Sequence, residues 1–397
     1  MDTPLSAGNV IVLLSAAGIL LPLGLNLLLL MVSSVRAGRH PAPAAGRTGA
    51  ALSVSVIIVV RNGRDIIGGK MENTLSLRYP SGRHEIIVYS DGSTDGTEGG
   101  VTPYLSEGVC LVASPLHKGK IEGMNTAVRR SSGDILVFSD ADALLEPDAV
   151  MKLVQHFSDP SIGGVCGRRV IGEDAHALKK AQSSFIAFDS AVKLFESRRG
   201  SISSNDGKLY AVRRELYREI PEGVTDDLYV CLSVVGQRYR FVFEPEARAF
   251  IRVPSRTAAH EIVRRRRIVS TSLRGIWLMR ALLNPFSYGL FSFHLAVNKV
   301  LRRLLPLFLL IFFSGSGWLA KDHPAFAVLF GLQCSFYLSG LLYWALLRHL
   351  PEIPLLTKVC STVFYFCLGN YGTLRGVADF LMGRRPARWT PLKTGKP

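Results

Sequence analysis

Two hydrophobic rhythms divide this chain of 397 residues. Residues 53–60 (SVSVIIVV) form a continuous β-branched run, and 85–89, 109–113 and 135–139 are further short apolar runs separated by helix-length segments of mixed polarity. Apolar strands without polar alternation are buried on both faces. The pattern therefore predicts an α/β domain, a mostly parallel sheet with helices on both faces, whose ligands collect beyond the carboxyl ends of the strands. Residues 228–235 read as a buried helix. The second rhythm consists of long apolar stretches at 10–32, 304–320 and 325–347. The first is long enough to cross a hydrocarbon core of roughly 30 Å at about 1.5 Å per residue. A shorter stretch, 359–374, lies between Lys358 and Arg375 and reads as re-entrant or interfacial, because another crossing would strand the basic tail that follows it.

Charge assigns sides to these stretches. The chain has 47 Lys and Arg against 31 Asp and Glu, a net charge of +16, with 48% hydrophobic residues and a mean hydropathy of +0.24. Arg36, Arg39 and Arg47 follow the first apolar stretch, and four arginines at 264–267, then Lys299, Arg302 and Arg303, precede the second. By the positive-inside rule the domain between them is cytoplasmic, which predicts an integral membrane protein, on the cytoplasmic face of a bacterial inner membrane. The first nine residues lack Lys and Arg, so the first stretch reads as a retained anchor rather than a cleaved signal. Basic residues clustered at membrane flanks point to a lipid bilayer as partner and to no nucleic acid. The six cysteines form no CxxC pair and show no zinc spacing.

Within the predicted α/β domain, carboxylates fall where strands end. Asp91, in Ser90-Asp91-Gly92-Ser93-Thr94-Asp95, either accepts a hydrogen bond from a nucleobase or makes an Asx-turn, with Thr94 or Asp95 capping the next helix. Asp140 and Asp142 flank Ala141 after another strand; such a pair either holds a hard divalent cation on a diphosphate or decorates a solvated turn. Lys118 and Lys120 open a helix that carries Asn125. They suit phosphate binding or a solvated helix start. Asp226 and Asp227, after Thr225, either cap a helix or supply the base that takes a proton from an attacking hydroxyl. A dinucleotide-binding fold needs a GxGxxG turn after the first strand, and Val60-Arg61-Asn62-Gly63 is not one.

In this order the motifs resemble those of membrane-integrated family 2 glycosyltransferases, the group that includes cellulose, chitin and hyaluronan synthases. The resemblance runs from about residue 53 to 303. It includes Arg61-Asn62, the Asp91 loop, Gly119-Lys120 with Asn125, Asp140-Ala141-Asp142, Gly207 ahead of Ala211-Val212-Arg213-Arg214-Glu215, and Thr225-Asp226-Asp227. It implies a GT-A fold, a nucleotide-sugar donor (usually a UDP-sugar), Mg2+ or Mn2+, and inversion at the anomeric carbon. By position it implies Asp227 as the catalytic base beside Asp226, and Asp140 and Asp142 at the metal. Donor-binding positions would be Arg61, Asn62, Asp91, Gly92, Lys120, Asn125, Asp140 and Arg267. The predicted organisation is an anchor and basic linker at 1–48, a GT-A domain at 49–252, a basic interfacial segment at 253–300, a transmembrane or re-entrant region at 301–382 and a basic tail at 383–397.

Two departures from the family pattern shape the expected activity. Ser90 stands where a first aspartate is usual. The QxxRW motif of processive synthases is represented only by Arg267, without its Gln and Trp. The expectation is therefore transfer of one sugar to a lipid-linked or glycan acceptor, with partner subunits of a polysaccharide or glycolipid assembly system. The alternatives are a processive exopolysaccharide synthase with a variant motif and a non-catalytic membrane subunit that keeps the fold. A sugar nucleotidyltransferase would need a Gly-rich loop where Arg61-Asn62-Gly63-Arg64 stands.

Overall fold

A computed structural model describes residues 8, 10–21, 24, 52–79, 83–171, 178–251, 258–350 and 353–384. Its elements are α1 (Val10–Leu21), β1 (Val54–Val60), α2 (Arg64–Leu75), β2 (His84–Asp91), β3 (Val109–Ser114), α3 (Lys120–Arg130), β4 (Ile135–Ser139), β5 (Ala143–Leu145), α4 (Ala149–Val154), β6 (Ile162–Ile171), α5 (Leu178–Arg199), β7 (Leu209–Arg213), α6 (Asp226–Gly236), β8 (Arg240–Ile251), α7 (Ala258–Leu278), α8 (Pro285–Tyr288), α9 (Leu290–Leu295), α10 (Arg302–Leu319), α11 (Pro324–Ala345) and α12 (Pro354–Leu381). They fall into two units. One holds 30–254 and 274–295 and contains the sheet; the other holds 255–273 and 296–386 with the first residues of the chain, and is helical.

The sheet has eight strands among the described residues, in the order β3-β2-β1-β4-β7-β6-β8-β5. The four apolar runs read from the sequence are β1 to β4, and these pair in parallel. The second half is mixed: β7 runs antiparallel to both β4 and β6, β5 antiparallel to β8, and β6 parallel to β8. Every residue of β1 is buried, because helices cover both of its faces. Val54, Val56, Ile58 and Val60 share a core with Ile67 and Met71 of α2, each such side chain contributing roughly 1.5–3 kcal/mol of burial. On the opposite face Gly123 of α3 lies against Tyr89 and Val59, where a Cβ would come within 2.7 Å of the Tyr89 ring. That close approach brings the start of α3 to the ends of β1 and β2.

In the helical unit, Val269, Leu273 and Val377 pack together with Leu304, Leu307 and Phe380, and the Arg266 guanidinium makes a two-point ion pair with Asp379. Among the described residues one helix, Pro324–His349, is long and apolar enough to cross a membrane. It leaves Val328, Leu332 and Leu338 exposed. The expected span at 304–320 lies in α10, of 18 residues, which opens on Arg302 and Arg303 and contains Pro306. The expected first span, 10–32, is described only in part, as α1; its remainder lies outside the described residues, as do the linker through 51 and the tail from 385.

The stretch 359–374 differs from expectation. It is the middle of the continuous 28-residue helix α12, about 42 Å long at the α-helical rise. Pro354 starts this helix before the apolar run begins, and no proline interrupts it, so a re-entrant turn is not its form.

Candidate active site

Six charged side chains meet at the carboxyl ends of β1 and β4. Lys120, the first residue of α3, places its Nζ 2.8 Å from Asp140 Oδ1 and 2.8 Å from Asp226 Oδ2. Lys208, just before β7, lies 3.0 Å from Asp140 Oδ2 and 2.7 Å from Asp142 Oδ1. Asp227 follows Asp226 in the first turn of α6, where one of its oxygens accepts from Leu228 N at 2.6 Å. Ile57, Val59, Met124 and Phe138 form the apolar wall beside Lys120, Asp140, Tyr210 and Asp226.

The two ends of this cluster are tuned in opposite directions. Burial would raise Asp140, but Lys120 and Lys208 overcome it and hold the carboxyl well below the usual range. Burial would likewise lower Lys120, and Asp140 with Asp226 hold it up instead. Among the described residues Asp227 lies outside these lysine ion pairs. Its burial, reinforced by the charges of Asp226 and Asp206, pushes it up to about 7, with only partial relief from Lys120. One carboxylate is therefore kept ionised and another is poised near neutrality, the division of labour that sites with separate electrostatic and proton-transfer carboxylates use.

The Asp91 loop is tied to the turn that precedes α3. Asp91 ends β2 and is 0% exposed; its oxygens accept from Lys118 N at 2.7 Å and Gly119 N at 2.9 Å and lie 2.7 Å from His117 Nδ1. A carboxylate so enclosed fastens the 117–119 turn that launches α3. Gly92 permits this. Its φ is +60°, and a Cβ there would lie 2.5 Å from His117 N. Asp95, one of the two residues expected to serve a helix start, accepts from two such amides, Arg64 N at 3.1 Å and Thr97 N at 3.1 Å. Asn62, in the left-handed region at φ 49°, accepts from Thr94 N at 2.8 Å and donates its own N–H to Ser93 Oγ at 3.1 Å. It thereby laces the two strand-end loops together beside Arg61, whose Nε is buried without a hydrogen-bond partner among the described residues.

Asn125 is engaged within the protein. Its amide donates to Ile220 O at 3.0 Å and accepts from Ile220 N at 3.0 Å and Tyr217 Oη at 2.8 Å. Both ends are used in holding the 217–220 segment. Arg267 lies on α7 in the helical unit, and Lys118 is exposed.

Three contributors escaped the sequence reading. Lys208 enters because β7 pairs antiparallel with β4, with Leu209 opposite Ser139. Tyr210, one turn of the pleat further, is fully buried with its hydroxyl unpaired among the described residues and stacks on Phe138 at 4.8 Å. Lys70, fully buried in α2, donates to Ser139 Oγ at 2.8 Å and Ala143 O at 2.6 Å and so supports the 139–143 turn from beneath. Burial lowers it to about 7, against the pull of Asp140 and Asp142. A signal for Lys70 existed: Ile67, Lys70, Met71 and Thr74 are the buried face of α2, and a lysine at such a position needs a polar partner.

Known proteins resemble this chain in sequence and in fold. Residues 55–221 match the family described as Glycosyl transferase family 2. Over 208 residues the chain is 24% identical to the poly-β-1,6-N-acetyl-D-glucosamine synthase of Staphylococcus aureus strain MSSA476, covering 51% of this chain and 50% of that one. A synthase of the same name from Staphylococcus epidermidis is 23% identical over the same length. The chain thus spans about half the length of the relatives it matches. Among solved structures, a mannosyltransferase from Pyrobaculum calidifontis in complex with GDP-Man and Mn2+ superposes with a TM-score of 0.70 at 21% identity, over 94% of this chain and 99% of that one, which is a likeness of fold. Residues 55–221 thus match a glycosyl transferase family 2 domain, and the mixed sheet has a GT-A-like fold.

Proposed function

We propose that the protein is an inverting glycosyltransferase that moves a sugar from a nucleotide-sugar donor to a lipid-linked or glycan acceptor. The observation that supports this best is the pairing of an ionised Asp140 with an Asp227 held near neutrality in one cluster. Asp227 accepts the acceptor hydroxyl proton as that oxygen attacks the anomeric carbon, while the bond from that carbon to the diphosphate oxygen breaks on the opposite face. The nucleoside diphosphate leaves with the bonding pair. Asp226, held by Lys120, fixes the first turn of α6 and so the position of Asp227. A base with a pKa near the working pH is suited to this transfer.

The donor set at the strand end fits a hard divalent cation. Asp140 and Asp142 already direct three oxygens at one ammonium, that of Lys208, and two carboxylates completed by phosphate oxygens is the usual protein share for Mg2+. Mg2+ or Mn2+ would be held by Asp140 and Asp142 and, when bound, neutralises charge on the leaving diphosphate. Arg61 and the laced 62–94 loops lie where the nucleotide would be received.

The exposed apolar surface of α11 and the basic flanks support an integral protein whose sheet domain faces the cytoplasm. A processive synthase is the second reading, favoured by the name of the Staphylococcus relatives.

The test is product analysis by mass spectrometry, using membranes containing the protein, a panel of nucleotide sugars and native lipid extract. The expected result is a single-sugar adduct that disappears in Asp227→Asn while donor binding persists. Undiminished turnover in that variant would remove Asp227 as the base, and a long polymer would establish the second reading.

A further inference from the structure

We propose that Lys208 is an internal competitor for the divalent cation, so that metal binds firmly only together with the nucleoside diphosphate. The inference rests on reading Asp140 and Asp142 as the cation site. Strand pairing, rather than a flexible surface chain, brings the lysine there. The β4–β7 register ends with Ser139 opposite Leu209, and the next step sets Asp140 opposite Lys208. Ser139 Oγ also donates to Lys208 O at 3.2 Å, which holds the backbone of the lysine in place.

The ammonium lies 3.0 Å from Asp140 Oδ2 and 2.7 and 3.0 Å from the two Asp142 oxygens. An ammonium has three donors and no acceptor. All three are thus directed at the oxygens that a hard cation would need, and the lysine side chain is 20% exposed. A dication at the same oxygens would sit against this charge at ion-pair distance, so one must leave.

Charge decides when it leaves. In the free protein Asp140, Asp142 and Asp226 face Lys120 and Lys208, three negative charges against two positive. A dication arriving alone turns that balance positive and pushes the lysine away from its partners. A dication arriving with a diphosphate brings the negative charge that the displaced ammonium can bind, and the four-carbon stem gives it the reach to do so. Metal and diphosphate therefore bind cooperatively, and by linkage each raises the affinity of the other by the same factor.

The experiment measures Mn2+ binding to the purified full-length protein by electron paramagnetic resonance, with Mn2+ alone and with UDP or GDP added. For the wild type we expect weak binding of Mn2+ alone and a gain of about tenfold or more with the matching diphosphate. In Lys208→Met, which keeps the stem and removes the charge, Mn2+ alone should bind roughly tenfold more tightly than in the wild type, since ligand charge sets such affinities, and most of the gain from diphosphate should vanish. Lys208→Arg should stay close to the wild type. If Asp142→Asn abolishes Mn2+ binding but Lys208→Met binds Mn2+ alone no better than the wild type, the competitor role falls and the cation site stands. If Asp142→Asn leaves Mn2+ binding unchanged, both fall. Should Lys208→Met not fold, the wild type decides, because equal Mn2+ affinity with and without either diphosphate overturns the proposal.

Discussion

Burial with Asp226 and Asp206 nearby places Asp227 at about 7, so its ionisation changes within the range where the enzyme would work. As a base it must be ionised, and kcat/KM is expected to rise through pH 7 and level off about one unit above; a flat profile would contradict the role. The same shift has a sign for stability. The folded pKa lies above the unfolded value of about 3.9, so the stability tied to the protonated form is complete below about pH 4 and is lost as pH rises through about 7. Asp227→Asn cannot ionise. It should melt above the wild type at about pH 8, by a margin on the order of a few kcal/mol, and the gap should close near pH 4. A gap independent of pH would remove the coupling. The carboxylates themselves were legible because strand-end loops carry them in a recognisable order. The fastening roles of Asp91 and Asn125 were not, since a hydrogen bond to a backbone 27 or 95 residues away leaves no mark on local sequence.

Packing of α3 against β1 and β2 depends on Gly123, and the fold predicts how sensitive that element is. Gly123→Ala would set a methyl group 2.7 Å from the Tyr89 ring and 2.9 Å from Val59, an overpacking that costs about 1–3 kcal/mol. Gly68 of α2 has nothing within 4 Å of its would-be Cβ, so Gly68→Ala should be neutral or stabilise by about 0.4–1 kcal/mol. Thermal melts of the two variants separate these outcomes; a Gly123→Ala protein as stable as Gly68→Ala would deny the close contact. The first four strands were readable because they are uninterrupted apolar runs. The second half of the sheet was not, since β6 carries glycines and arginines (IGGVCGRRVI) and its antiparallel partner β7 is reached only after α5. The length of α12 is not legible from hydropathy because its polar and glycine-bearing turns continue the helix beyond the apolar stretch.

At the scale of the molecule, the proposed topology, with the sheet domain on the cytoplasmic side, can be checked directly, and Cys110 on β3 offers a reporter because it is exposed. In a chain retaining Cys110 as its only cysteine, a membrane-impermeant maleimide should label inverted vesicles and spare intact cells. Labelling of intact cells would reverse the topology. The family was legible at this scale from motif order, while the second unit's helices were legible in position more than in extent. The β4–β7 pairing also bears on how the protein is made. Asp142 and Lys208 are 66 residues apart, and β7 sits between β4 and β6 in the middle of the sheet. A chain still emerging from the ribosome exposes the acidic turn before its lysine has been synthesised, so the Asp142–Lys208 ion pair forms only when β7 docks, and its formation reports completion of the sheet.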